Sequence, residues 1–100
     1  MPLLHRGSPA RVINLSSQYA GKLDLDDLTF TRRPYHATQA YMQAKQANRM
    51  MTWAWADQLP ASKVTVNACH PGSVAGTQLA SALGLKSGTH TAKEAAGSVV

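Results

Sequence analysis

A chain of 100 residues with 44% apolar and 15% charged side chains suits one globular domain and is too apolar for a disordered segment. Its net charge of +5 comes from ten Lys and Arg scattered from Arg6 to Lys93, with no stripe and no aromatic-interleaved cluster, which argues against a nucleic-acid partner. The single cysteine, Cys69, excludes an internal disulfide and a paired-cysteine metal site, and makes a reducing, intracellular, cytoplasmic setting the simplest expectation.

The opening "MPLLHRG" has too short an apolar run for a signal peptide and reads as the end of a helix stopped by Gly7. No stretch approaches the roughly 20 apolar residues that a bilayer span needs. "RVINLSS" (11–17) places Val12, Ile13 and Leu15 between turn-rich flanks and reads as a buried strand. Residues 18–36 lack a sustained period and are expected to form a long loop with one helical turn at 24–29; so long a loop in a compact domain usually has a task.

From Ala37 to Leu59 apolar residues recur at helical spacing, with Ala40, Tyr41, Ala44, Ala47, Met51 and Trp55 on one side, and Pro60 ends the segment. Trp53 and Trp55 point to different helix faces, and one of them is expected in the core; Met50 and Met51 read as packing residues. "KVTVNACHPG" (63–72) alternates at Val64 and Val66 and is halted by Pro71-Gly72, the mark of a second strand. "SVAGTQLASALG" predicts a turn and a short amphipathic helix ending at Gly84. In "TAKEAAGSVV", Thr91 and Glu94 have capping-box spacing. Strand, long loop, helix, strand, turn, helix is the rhythm of a parallel α/β sheet. Two strands do not make such a sheet alone, and the chain opens on a helix end and closes on a helix start, so it reads as a piece of a larger domain.

The run "AYMQAKQAN" (40–48) sets Tyr41 and Lys45 one helical turn apart on one face. Such pairs occur by chance on many helices, so the chemical reading needs more. A tyrosine can pass a proton to or from an alcohol oxygen, an ammonium nearby favours a phenolate, and a hydroxyl aimed at the same oxygen completes a small oxyanion-type site. Ser16 and Ser17 end the first strand and Pro71-Gly72 ends the second, and ligands of open α/β sheets bind at carboxyl ends of strands.

The order "RVINLSS", "AYMQAKQAN", "VTVNACHPG" resembles the catalytic half of the short-chain dehydrogenases/reductases. In that family a serine strand, a YxxxK helix and a strand ending in a Pro-Gly turn follow one another. The insert "LDLDDLTFTRRPY" and the K-x-A-N that follows the tyrosine are similar to the retinol-dehydrogenase-like branch. The resemblance covers nearly the whole chain. It implies the carboxyl-side part of a single doubly wound, Rossmann-like parallel α/β domain over residues 1–100, without the amino-terminal dinucleotide-binding half. It implies an oxidoreductase that transfers hydride between NAD(P)(H) and a small lipophilic carbonyl or alcohol. Ser17 would position the substrate oxygen, Tyr41 would pass the proton, and Lys45 would assist it and hold the ribose. The backbone after Pro71 and Gly72, with Val74 and Thr77, would line the cofactor, and the basic balance slightly favours NADP over NAD. The resemblance also implies that the 37–59 helix would offer a homo-oligomer interface, with the other of Trp53 and Trp55 facing the partner.

The chain departs from the family pattern in three places. Its residues include no Gly-rich phosphate loop, and the family's catalytic asparagine would precede Met1. Ala44 stands where the branch commonly has Ser. Gly76 stands where the Pro-Gly turn usually has Thr, with Thr77 one place later. A non-catalytic fragment or pseudoenzyme acting through association is therefore the alternative expectation. His70 fits the branch pattern as a structural residue, and His5, His36 and His90 lack ligand-like spacing, so no metal site is expected.

Overall fold

The computed structural model describes residues 2–59, 63–74, 77–84, 88, 90–97 and 99. In chain order it forms α1 (Pro2–Arg6), β1 (Ala10–Leu15), α2 (Ala37–Gln58), β2 (Val64–Cys69), α3 (Gln78–Ala82) and α4 (Ala92–Gly97). Gly7 stops α1, its N–H donating to Leu3 O at 3.0 Å. The two strands pair in parallel with Ala10 opposite Val64 and Leu15 opposite Cys69, and α2 is the crossover that packs on both. This is a partial Rossmann-like α/β arrangement.

The ladder's ends set the level of everything built across it. Ala10 N–H donates to Lys63 O at 3.0 Å and Ser16 N–H to Cys69 O at 2.8 Å. Backbone groups alternate sides along a strand, so the even-numbered residues of β1 serve β2 and the odd-numbered ones, Leu15 included, face the open edge. The next bond of the series would need an N–H from residue 71, and Pro71 has none. Both strands therefore release into loops at the same height.

Val64 and Val66, alternate residues of β2, are buried, as the strand pattern predicts. The helix α2 behaves differently from its alanine spacing. Its buried residues are Gln43 and Thr52, each drawn in by hydrogen bonds. Thr52 Oγ1 accepts from Asn14 Nδ2 at 2.9 Å and donates to Asn48 O at 2.7 Å. Trp53 and Trp55 are 56% and 40% exposed, so neither is core, and Met50 and Met51 are exposed as well. Two strands offer α2 cover along one face only, which leaves its other apolar residues facing outward. His36 caps the helix by accepting from Gln39 N–H at Nδ1, 3.3 Å. The expected stop at Pro60 lies outside the described residues.

The 18–36 segment contains successive turns rather than a helical turn at 24–29. Its centre is Asp27, 4% exposed. One carboxylate oxygen accepts from the Thr31 N–H at 2.7 Å, the Thr31 hydroxyl at 3.1 Å and the Arg32 N–H at 3.1 Å; the other accepts from Arg33 Nε at 3.2 Å. Arg33 also donates to Gln43 Oε1 at 2.7 Å, and Gln43 Nε2 donates to Leu28 O at 2.8 Å, which buckles the loop to α2. Burial pushes the Asp27 carboxyl up, but the donors from Arg32, Thr31 and Arg33 together hold it below its ordinary value of 3.8.

Two of the short helices, α3 and α4, carry threonine N-caps, of which the sequence suggests the one at Thr91. Thr77 Oγ1 accepts from Ala80 N–H at 3.0 Å, and Thr91 and Glu94 exchange bonds of 3.3 Å each in a capping box. The chain exposes 7286 Å², about a third more than the roughly 5,500 Å² expected of a compact monomer of its mass. Its radius of gyration is 15.8 Å against the ~13 Å of a compact 100-residue domain.

Because Asp27 sits below its ordinary value, its contribution is complete above pH 3.8 and is lost as pH falls through the depressed value. Amide exchange should show Thr31 and Arg32 protected at neutral pH and released in acid. In Asp27→Asn the same amides should exchange faster at neutral pH, and the acid-induced release below pH 3.8 should be absent.

Candidate active site

A cavity of about 360 Å³ opens where the carboxyl ends of β1 and β2 meet α2 and α3. Leu15 to Tyr19 line it after β1, Tyr41 and Lys45 from α2, His70 to Val74 after β2, and Thr77, Leu79, Ala80 and Leu83 from the α3 side. Ser17, Tyr41, Lys45, Pro71, Gly72, Val74 and Thr77, the residues singled out from sequence, thus border one space although they span 60 positions of the chain.

The two serines are both 7% exposed, yet their hydroxyls are engaged differently. Ser16 Oγ donates to Lys45 O at 2.9 Å, so its proton is committed to holding α2. Ser17 Oγ accepts from the Tyr19 N–H at 3.1 Å and has no acceptor for its own hydrogen among the described residues. Of the pair, Ser17 keeps a donor for a ligand. Lys45 Nζ donates to Leu15 O at 3.1 Å and lies 5.7 Å from the Tyr41 ring centroid, so ammonium and phenol face the same space. The Tyr41 hydroxyl makes no hydrogen bond among the described residues.

Across the cavity, Gly72 has φ +99°, a conformation that side chains disfavour. A Cβ there would also stand 3.1 Å from His90 Nδ1. His90 reaches this position because its N–H donates to Ser73 O at 2.9 Å and it bridges Val74, folding the chain back on the turn. Thr77 borders the cavity with its hydroxyl oxygen already accepting as an N-cap. Gly76, at the family's threonine position, lies outside the described residues.

Sequence reasoning missed His90, whose distance from Gly72 carries no periodic signal. It also missed the apolar wall of Tyr19, Leu79 and Leu83, although Leu79 and Leu83 are one helical turn apart and could have been paired. Among the described residues no group of three or more His, Cys, Asp or Glu could hold a metal ion. No described helix is long and apolar enough to cross a membrane.

Residues 1–87 match the family model of the short chain dehydrogenases. The chain belongs to the short-chain dehydrogenase family. Within it, the chain is similar to retinol dehydrogenase 13 of Homo sapiens, 43% identical over 88 residues that make up 86% of this chain and 26% of that protein. It is 44% identical to retinol dehydrogenase 13 of Mus musculus over 76% of this chain and 23% of the relative. For retinol dehydrogenase 12 of Mus musculus the figures are 41%, 71% and 23%. These likenesses place it in the retinol-dehydrogenase-like branch of an oxidoreductase family. The chain spans about a quarter of the length of these relatives. Among solved structures it resembles an uncharacterized protein from Mycobacterium paratuberculosis, with a TM-score of 0.59 and 36% identity over 63% of this chain and 25% of that one.

The short-chain dehydrogenase turn at Pro71-Gly72 should tolerate no side chain at its glycine. Gly72→Ala adds left-handed strain of about 1–2 kcal/mol before the His90 contact is counted. A urea titration should show the midpoint lowered accordingly, whereas Gly21→Ala, with open space around its Cβ, should leave it within error.

Proposed function

We propose that the chain is the carboxyl-side catalytic segment of a Rossmann-like oxidoreductase domain, one that moves hydride between NAD(P)(H) and a small lipophilic carbonyl or alcohol. The observation that carries this reading is the convergence of a donor-bearing Ser17, Tyr41 and Lys45 on one cavity with an apolar wall. Ser17 Oγ–H donates to the substrate oxygen and fixes its position. Tyr41 Oη gives that oxygen a proton in reduction and takes it back in oxidation. The Lys45 ammonium stabilises negative charge developing on the phenol oxygen and holds a ribose hydroxyl. Tyr19, Leu79 and Leu83 give the cavity an apolar side that favours an apolar substrate body.

The residues present fit the nicotinamide-ribose end of a dinucleotide. Gly72 lets the backbone approach a ligand closely, Pro71 has no N–H with which to continue the ladder to β1, and Val74 and Thr77 continue the rim. When bound, the cofactor supplies the hydride. The pyrophosphate end has no comparable cradle among the described residues, whose only glycine with positive φ near a helix start is Gly72. NADP is favoured over NAD by the positive net charge alone.

A second reading, a non-catalytic chain that acts through association, is supported by the enlarged surface and by the outward Met50, Met51, Trp53 and Trp55 of α2. The same helix would serve a homo-oligomer. A thermal melt of the 100-residue chain followed by Trp fluorescence, with and without NADPH, separates the two. We expect a melt indifferent to NADPH, because the pyrophosphate has no cradle here; an upward shift would show a working cofactor site in this chain. In a reading frame extended to the length of the relatives, Tyr41→Phe should abolish turnover and leave NADPH affinity unchanged. Retained turnover would refute the assignment of Tyr41.

A further inference from the structure

One backbone oxygen at the edge of the cavity has two side-chain donors. Leu15 O accepts from Lys45 Nζ at 3.1 Å and from Asn48 Nδ2 at 3.2 Å. It belongs to an odd-numbered residue of β1, so it faces the open edge and not β2. Lys45 and Asn48 stand three positions apart on one face of α2 and reach the same carbonyl, whose two lone pairs can take both. Asn48 is itself held: its carbonyl accepts from Thr52 Oγ1 at 2.7 Å, and Thr52 in turn accepts from Asn14 of β1.

We propose that Asn48 is a positioning residue for Lys45, sharing the Leu15 carbonyl so that the ammonium can leave that oxygen for a ligand oxygen in the cavity without stripping the carbonyl of its donors. The purpose of this exchange rests on the reading of Lys45 as the ligand-facing lysine; its test does not. With Asn48 present, the bond from Lys45 to Leu15 O is one of two and is easily given up. Without Asn48, Lys45 becomes the carbonyl's one side-chain donor and is held more tightly. A residue that merely braced the helix would act in the opposite sense, since its loss would loosen α2 and free Lys45.

Acylation of Lys45 by a small N-hydroxysuccinimide ester at fixed pH, read by mass spectrometry and normalised to the exposed Lys22 of the same chain, measures that hold. Wild type should label more slowly at Lys45 than at Lys22. Asn48→Leu and Asn48→Ala should slow Lys45 further, by roughly 2- to 10-fold, the worth of one net hydrogen bond. Asn48→Gln, which keeps an amide donor, should return the rate toward wild type. Labelling of Lys45 that is unchanged or faster in both Asn48→Leu and Asn48→Ala, including the case in which the variants unfold, overturns the proposal. Wild-type Lys45 labelling as fast as Lys22 overturns it as well. The measurement needs neither bound cofactor nor turnover, so it succeeds or fails independently of the oxidoreductase reading.

Discussion

Pairing between the two strands stops at a proline, and the site depends on where it stops. Ser16 N–H makes the last ladder bond, and Pro71 cannot make the next. Both chains are then free to diverge at one level, which opens the cavity between them. The helix α2 is fixed against that level by bonds to three consecutive residues at the end of β1 and just past it: Asn14 to Thr52, Leu15 O to Lys45 and Asn48, and Ser16 to Lys45 O. Those contacts set both the height and the rotation of the helix. Tyr41 reaches the cavity because Lys45, one turn later, is tied at its backbone carbonyl as well as at its ammonium.

The interior that results is polar by the standards of a small domain. Among the described residues the buried polar ones are Ser16, Ser17, Asp27, Gln43 and Thr52, against Val64, Val66, Ala80 and Ala95. Among the described residues no buried side-chain polar atom lacks a partner. A hydrogen bond of this kind adds only about 1 kcal/mol net, whereas one left unmade costs about 1–3 kcal/mol. These contacts therefore select one geometry more than they supply stability. The loop between serine and tyrosine follows the same logic: Asp27 gathers Thr31, Arg32 and Arg33, and Arg33 hands the constraint to Gln43, two residues from Tyr41. An insert with no periodicity is thereby made a rigid link between two parts of the site.

The elements were legible in the sequence where the backbone alone decides. The alternation at Val64 and Val66, the helical run from Ala37 and the Thr91–Glu94 box each appear within a residue or so of where the pattern puts them. What depends on neighbours was not. The alanine stripe and the tryptophans of α2 suggested a buried face, but β1 covers the side that carries Thr52, the 18–36 loop covers Gln43 on the opposite side, and polar bonds outcompeted apolar spacing. The helical turn expected at 24–29 gave way to an Asp-centred loop, because a carboxylate accepting several nearby donors competes with helix formation. At the site, the residue types in "SS" leave two candidates, and the family resemblance alone singled out Ser17. In the fold, Ser16 and Ser17 are distinguished by what stands opposite each hydroxyl once the ladder has ended.

On the proposed reading, reactive groups and their cover come from different sources. Proton transfer and charge stabilisation in the cavity gain strength from excluding water. Here α3 and Tyr19 wall one side, while Met50, Met51, Trp53 and Trp55 leave apolar side chains exposed around α2 and the odd-numbered residues of β1 leave an open edge. Such surface favours association, whether with a further segment of the same fold or with a second copy. The catalytic and associative readings are then not strict rivals. Association that buries the outer face of α2 would hold in place the helix that carries Tyr41 and Lys45. The chain's own bonds fix where those side chains stand, and the cover decides how dry the space around them is.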